Sequence, residues 1–288
     1  MKAPIVVGVN DSGANEAAVA WAMHRAAAVK LPVDLVHAVD DRWMSESLAY
    51  NEMAKKAATE LLGKAKAHAA GVEPSVDVRT LLISGSAGYA LRKRSKKASL
   101  VVIGSGTRLR LGGRLTDRAL QIAAVALCPV AVVGEDGVNN RQGVLVGVDG
   151  SEESTQAVAF AAAEADREGQ ELTVLHAFRA LRPWVQFARS EGDLAEQMLE
   201  EERVTLSETV AGLAEDYPDL VVHQLLETDK DPAAALVEAA SNSQLLVLGS
   251  RGRGSFKRLL LGSTAHAVLS QLSCPTIITR VRRVKNTE

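Results

Sequence analysis

Short apolar runs of about five or six residues alternate with Ala-rich segments of helical spacing, and the whole alternation occurs twice. Ile5-Val6-Val7-Gly8-Val9-Asn10-Asp11-Ser12 matches Val144-Leu145-Val146-Gly147-Val148-Asp149-Gly150-Ser151, and Val33-Asp34-Leu35-Val36-His37-Ala38 matches Leu172-Thr173-Val174-Leu175-His176-Ala177. Further along, Leu100-Val101-Val102-Ile103-Gly104-Ser105 matches Leu245-Leu246-Val247-Leu248-Gly249-Ser250. Cys128-Pro129-Val130-Ala131-Val132-Val133 matches Cys274-Pro275-Thr276-Ile277-Ile278-Thr279. Four matches in one order establish an internal duplication. The polar stretch Glu135 to Gln142 separates the copies, which predicts domains over 1–138 and 143–288.

Apolar runs without alternation predict strands covered on both faces, as in parallel sheets. Helices are predicted at Ala17 to Val29 and Thr155 to Ala165, then Ser45 to Ala69 and Leu194 to Leu213, then Ala87 to Lys96 and Ala233 to Ala240. Third strands are predicted at Val76 to Leu82 and Leu220 to Glu227. Five strands and four helices per half predict two tandem doubly wound α/β domains with right-handed crossovers. Pattern alone does not order the strands. In the order 3-2-1-4-5 the winding reverses between strands 1 and 4, where such sheets bind ligands. The fifth strand of each half would be a sheet edge, which the two halves can cover by pairing as an internal pseudo-dimer. Further dimerisation between chains is left open.

Composition narrows the function. The chain has 288 residues, a net charge of -2 and 3% aromatic residues, so neither a basic nor a base-stacking surface for nucleic acid is expected. No apolar stretch approaches the roughly 20 residues needed to span a bilayer, and no secretory signal is visible, so a cytoplasmic location is expected. Two cysteines, Cys128 and Cys274, each precede a proline and read as structural thiols. His37 and His176 occupy equivalent strand positions and read as repeated core residues. The run Arg92 to Lys97 reads as a solvated helix end, and Glu196, Glu200, Glu201 and Glu202 as the wet side of a helix.

The chemistry concentrates in Gly249-Ser250-Arg251-Gly252-Arg253-Gly254-Ser255, followed by Gly262-Ser263-Thr264 at the start of a helix expected to run to Leu272. Gly249 and Gly252 allow a tight turn and close backbone approach to a ligand. The helix start offers N–H groups and hydroxyls to an anion, and Arg251, Arg253, Lys257 and Arg258 add positive charge. A phosphate chain suits this segment. A Walker loop is absent, and the spacing differs from a dinucleotide fingerprint. No residue stands out as a general base, so a binding protein is expected, with at most slow hydrolysis of a bound phosphate chain.

At these residues the chain resembles the universal stress protein family in its tandem two-domain form, over nearly its whole length. Gly249, Gly252, Gly262 and Ser263 match the G-x-x-G-x9-G-[ST] motif of ATP-binding members. The resemblance implies the 3-2-1-4-5 sheet and an adenine nucleotide at the switch point, ATP or alternatively AMP, with magnesium accompanying the phosphates. It further implies a site formed by Val148, Asp149, Ala177, Gly249, Ser250, Arg251, Gly252, Gly262, Ser263 and Thr264. Asp149 would meet the ribose, backbone near Ala177 the adenine, and Gly262, Ser263 and Thr264 the phosphates. A nucleotide-dependent regulatory or stress role with an unidentified protein partner follows. A slow ATPase and a nucleotide-free scaffold are the alternatives.

The first half departs from this motif. Thr107 stands where Gly252 does, Asp117 for Gly262, Arg118 for Ser263 and Asn10 for Asp149. A carboxylate 4 Å from a phosphate charge repels it by roughly 1 kcal/mol in water and about 4 kcal/mol near a protein surface. The first half is therefore expected to bind ATP weakly or not at all, although Arg108, Arg110, Arg114 and Arg118 could attract a different anion.

Overall fold

The structure is a computed structural model describing residues 2–39, 48–105, 117–135, 141–178, 191–253 and 260–280. The chain divides into two compact units, Met1–Asn139 with Pro275–Glu288, and Asn140–Cys274. In the first unit, β1 (Ile5–Gly8), α1 (Ala14–Val29), β2 (Val33–Val39), α2 (Leu48–Val72) and β3 (Val78–Ser84) precede α3 (Ala87–Ser95), β4 (Leu100–Ser105), α4 (Asp117–Val125) and β5 (Val130–Gly134). Its sheet has the order β3-β2-β1-β4-β5, with these five strands parallel. This is the 3-2-1-4-5 order expected.

The second half repeats the series. It runs through β6 (Val144–Val148), α5 (Glu152–Glu168), β7 (Leu172–Ala177), α6 (Glu191–Val210), the single turn α7 (Leu213–Asp216), β8 (Val222–Glu227), α8 (Pro232–Ala240), β9 (Leu245–Gly249), α9 (Ser263–Leu269) and β10 (Thr276–Thr279). β6 pairs in parallel with β7 on one side and β9 on the other, and β7 pairs with β8. β10 lies with the first unit, antiparallel to β5, with Thr276 opposite Val132 and Ile278 opposite Val130. A strand from the second sequence half thus covers the edge of β5.

Local chemistry sets the helix ends. Ser151 caps α5 by accepting the Ser154 N–H at 3.2 Å, Glu152 and Glu153 sit in its positive first turn, and Gly169 ends it at φ 61°. Lys30 holds the equivalent left-handed position after α1 at φ 54°. α9 stops at Leu269, short of the expected Leu272. Beyond it the Gln271 N–H donates to Val268 O at 2.9 Å, an i→i−3 bond that tightens and closes the last turn. β3 reaches Ser84, beyond the expected Leu82, because β2 continues to Val39 and offers it partners. β6, which lies between β7 and β9, has all five residues buried, and β10 has all four. No helix among the described residues is long and apolar enough to cross a membrane.

Cys128 and Cys274 are buried thiols outside any disulfide. Burial pushes the Cys274 thiol up to about 12 from 9.0, although Arg141 pulls in the opposite direction. Raising the folded value gives stability that is complete below pH 9.0 and is lost as pH rises towards 12. Cys274→Ala should therefore flatten the fall in unfolding free energy over that interval, measured by urea denaturation at stepped pH. In the native protein, iodoacetamide should leave Cys274 unmodified at pH 8 and label it on unfolding.

Candidate functional site

The carboxyl ends of β6 and β9 diverge at the point where the second sheet reverses its winding, and a crevice of about 300 Å³ opens there. Val148, Asp149, Ala177, Gly249, Arg251, Gly252, Gly262, Ser263 and Thr264 all line it. The structure therefore brings nine of the ten sequence-derived candidates together. Ser250 does not line it. Its side chain is buried, and its carbonyl accepts the Gly262 N–H at 2.8 Å, which staples the start of α9 to the end of β9. Sequence reasoning missed the apolar wall of Leu175, Leu236 and Leu248 and the polar Ser154. The leucines were legible as core residues, but nothing in the pattern says which core side chains border a cleft.

Asp149 organises the site with its two oxygens divided between two tasks. Oδ1 accepts the Ser151 N–H at 3.1 Å and the Ser151 hydroxyl at 2.6 Å, which forms the turn into α5. Oδ2 accepts the Arg253 N–H at 2.7 Å, which ties the glycine loop to the end of β6. A Cβ on Gly252 would collide with Oδ2, so this position needs glycine for the close approach. Gly249 is confined in a similar way, since a Cβ there would press on Glu153 O at 3.1 Å.

Local charge differs from the sequence expectation. Arg251 pairs with Glu153 at 3.0 Å, and Arg253 pairs with Glu202 at 3.5 Å. Both cations are thus balanced by carboxylates, while Lys257, Arg258, Gly254 and Ser255 lie outside the described residues. Gly262 N–H is also committed to Ser250. The remaining anion donors of α9 are its first-turn N–H groups and the Ser263 and Thr264 hydroxyls, because helix geometry gives first-turn N–H groups no internal acceptor.

The two histidines make the same bond. His37 Nδ1 lies 2.8 Å from Val9 O, and His176 Nδ1 lies 2.8 Å from Val148 O. Each ring joins the second strand of its sheet to the end of the first, in agreement with a repeated structural role. His176 goes further. Its Nε2 lies 2.8 Å from Glu202 Oε2, so Glu202 is not on the wet side of α6 with Glu196, Glu200 and Glu201. Periodicity places Glu202 on the helix, but its partner comes from another element.

The first half has a crevice of its own, about 550 Å³, lined by Val9, Asn10, His37, Ala38, Gly104 and Arg118 among others. Asn10 Oδ1 accepts the Ser12 N–H at 3.0 Å and the Ser12 hydroxyl at 2.6 Å, reproducing the Asp149 turn. The other terminal atom of Asn10 is an NH2 donor, which cannot accept a loop N–H as Asp149 Oδ2 does. Gly106, Thr107, Arg108, Arg110, Gly112, Gly113 and Arg114 lie outside the described residues, as does the side chain of Asp117.

A duplicated, doubly wound α/β chain with a glycine-lined crevice at its switch point defines a class, and comparison with known proteins identifies the family. The model of the universal stress protein family matches residues 1–134 and again 140–280. A universal stress protein of Mycolicibacterium smegmatis is 33% identical over 292 residues, covering 96% of this chain and 97% of its own. One from Mycobacterium tuberculosis H37Rv is 32% identical over 290 residues, covering 96% of each. The crystal structure of a universal stress protein from Archaeoglobus fulgidus superposes with a TM-score of 0.68 at 17% identity, covering 97% of each chain. The chain belongs to the universal stress protein family, in a form carrying two copies of the domain.

Asp149→Asn should keep the turn to Ser151 and break the loop contact, turning an acceptor into a donor against the Arg253 N–H. The expected result is a loss of about 1–2 kcal/mol in urea unfolding, with faster hydrogen exchange at the Arg253 amide and little change at Ser151.

Proposed function

We propose that the second half binds an adenine nucleotide, ATP foremost and AMP as the alternative, and that occupancy regulates the protein's association with a protein partner. One observation carries this reading: the G-x-x-G-x9-G-[ST] residues converge with Asp149 and Ala177 on a single crevice at the switch point. Its volume stands at the lower end of small-molecule sites, which suits a nucleoside whose phosphates leave along the loop. Leu175, Leu236 and Leu248 offer an apolar wall to the base, and backbone at Ala177 offers hydrogen bonds to its edge. Asp149 is placed for ribose hydroxyls, since each carboxylate oxygen has more than one lone-pair site. Ser263, Thr264 and the first turn of α9 face the phosphates.

Magnesium fits this arrangement as an ion carried by the phosphates. The nearby carboxylates Asp149 and Glu153 are engaged by the loop and by Arg251, leaving the Ser263 and Thr264 hydroxyls as protein oxygens for a largely hydrated ion.

Binding is favoured over turnover. Among the described residues, the ionisable side chains lining the crevice are Asp149 and Arg251, and both are held in bonds that define the loop. Neither is free to take a proton from an attacking water. The regulatory step follows from mass action. A ligand at 100 times its dissociation constant stabilises the state that binds it by about 2.7 kcal/mol, enough to shift a partner equilibrium if the two states differ in affinity. The first half keeps a crevice and the histidine contact but has Asn10 and Arg118 in place of Asp149 and Ser263, which supports weaker binding or a different anion there.

Gently purified protein, analysed by native mass spectrometry, should carry one adenine nucleotide per chain, and calorimetry on stripped protein should give a stoichiometry near one. Gly252→Glu should abolish that binding by displacing the Asp149 carboxylate and placing a second negative charge beside the phosphates. Two equivalent sites per chain, or unchanged binding in the Gly252 variant, would overturn the assignment.

A further inference from the structure

His176 is 3% exposed and has both ring nitrogens bonded, Nδ1 to Val148 O and Nε2 to Glu202 Oε2. Val148 O can accept but not donate, so Nδ1 carries a hydrogen, and the Nε2–Glu202 bond requires a second one on either partner. The same Glu202 oxygen lies 3.5 Å from Arg253 Nη1, and the Arg253 N–H donates to Asp149 Oδ2. A continuous chain of contacts therefore runs from the carbonyl end of β6 through β7 and α6 and back to the glycine loop. Gly150 sits at φ 72°, and the Arg253 guanidinium and the Thr205 methyl of α6 both crowd the place where a side chain there would begin. Any Cβ at residue 150 would strike both, so the loop, the β6 turn and α6 are fitted together around a glycine.

Comparison of the two halves separates fold from function in this chain. The histidine-to-carbonyl bond is present in both and belongs to the architecture. No carboxylate among the described residues repeats the one on the second ring nitrogen. Among the described residues, His37 has Val9 O as its hydrogen-bond partner and no acidic side chain beside it. The added groups thus appear in the half that retains the complete glycine motif.

We propose that Glu202 is a positioning residue for the nucleotide loop. It anchors Arg253 to the buried His176 and thereby holds Gly252 and Asp149 in the geometry that receives the ligand. Arg253 itself does not line the crevice; its N–H holds Asp149 and its guanidinium meets Glu202, so it acts through the loop. This assignment rests on the nucleotide reading of the crevice, and it carries a consequence for regulation: ligand occupancy and the placement of α6 are linked through one carboxylate.

The test uses the full chain, with ATP as the calorimetric probe and amide hydrogen exchange of residues 251–253 as a readout that needs no ligand. Glu202→Ala and Arg253→Ala should each weaken ATP binding roughly tenfold, and the double variant should be no weaker than the worse single one, since coupled groups act as a unit. Glu202→Gln should also weaken binding, because the one atom that meets both partners can then either donate to His176 Nε2 or accept from Arg253 but not do both. Glu200→Ala, which alters an exposed residue of the same helix, should change nothing. In nucleotide-free protein, Glu202→Ala and Glu202→Gln should both speed exchange of the 251–253 amides. Independent, multiplying losses in the double variant would overturn the proposal, as would unchanged affinity in Glu202→Ala or Glu202→Gln. If the unaltered protein binds no ATP, the nucleotide reading fails, and unchanged exchange in Glu202→Ala separately defeats the positioning role. Should Glu202→Ala not fold, the Arg253 and glutamine variants decide the matter by the same readouts.

Discussion

The carboxylate of Asp149 stands at the meeting point of three parts of the second half. One oxygen closes the turn from β6 into α5, and the other receives the N–H of Arg253 from a loop 104 residues later in sequence. Gly252 can approach closely enough for this contact because it has no side chain, and α9 begins where Gly262 reports back to Ser250. The crevice follows from these bonds. Without the loop contact, the glycines would retain their conformational freedom and the first turn of α9 would lose its placement relative to β6.

Duplication supplies an internal control for such reasoning. Asn10 reproduces the Oδ1 half of the Asp149 arrangement at nearly the same distances, which shows that the turn is a property of the fold. The second acceptor is lost when the acid becomes an amide, so the loop contact is a property of the site. The histidines divide in the same way among the described residues, with a bond to the preceding strand in both halves and a bond to a carboxylate, Glu202, at His176. Similar logic applies to electrostatics. Four basic residues around the loop suggested an open positive field, yet Arg251 and Arg253 each rest on a carboxylate contributed by a helix. Among the described residues, the crevice therefore presents oriented N–H groups and hydroxyls, while the arginine that lines it, Arg251, is paired with Glu153.

Periodicity and the repeated segments determined the duplication, the alternation of strands and helices, and the residues of the glycine motif, because these depend on patterns local in sequence. Strand order required more than pattern. Apolar runs covered on both faces look alike wherever they sit in a parallel sheet, so the placement of β1 between β2 and β4 came from the family resemblance and was then seen in the sheet. Helix and strand ends moved by a few residues where a last turn tightened, as at Gln271 after α9, or where a neighbouring strand extended, as β2 does for β3. What the tertiary structure alone decided were the contacts between elements remote in sequence: Leu236 beside the glycine loop, Glu153 against Arg251, and Glu202 bridging His176 to Arg253. A helical period tells which face of α6 is polar, but whether a glutamate on it meets water or a buried imidazole depends on the strand against which that helix packs.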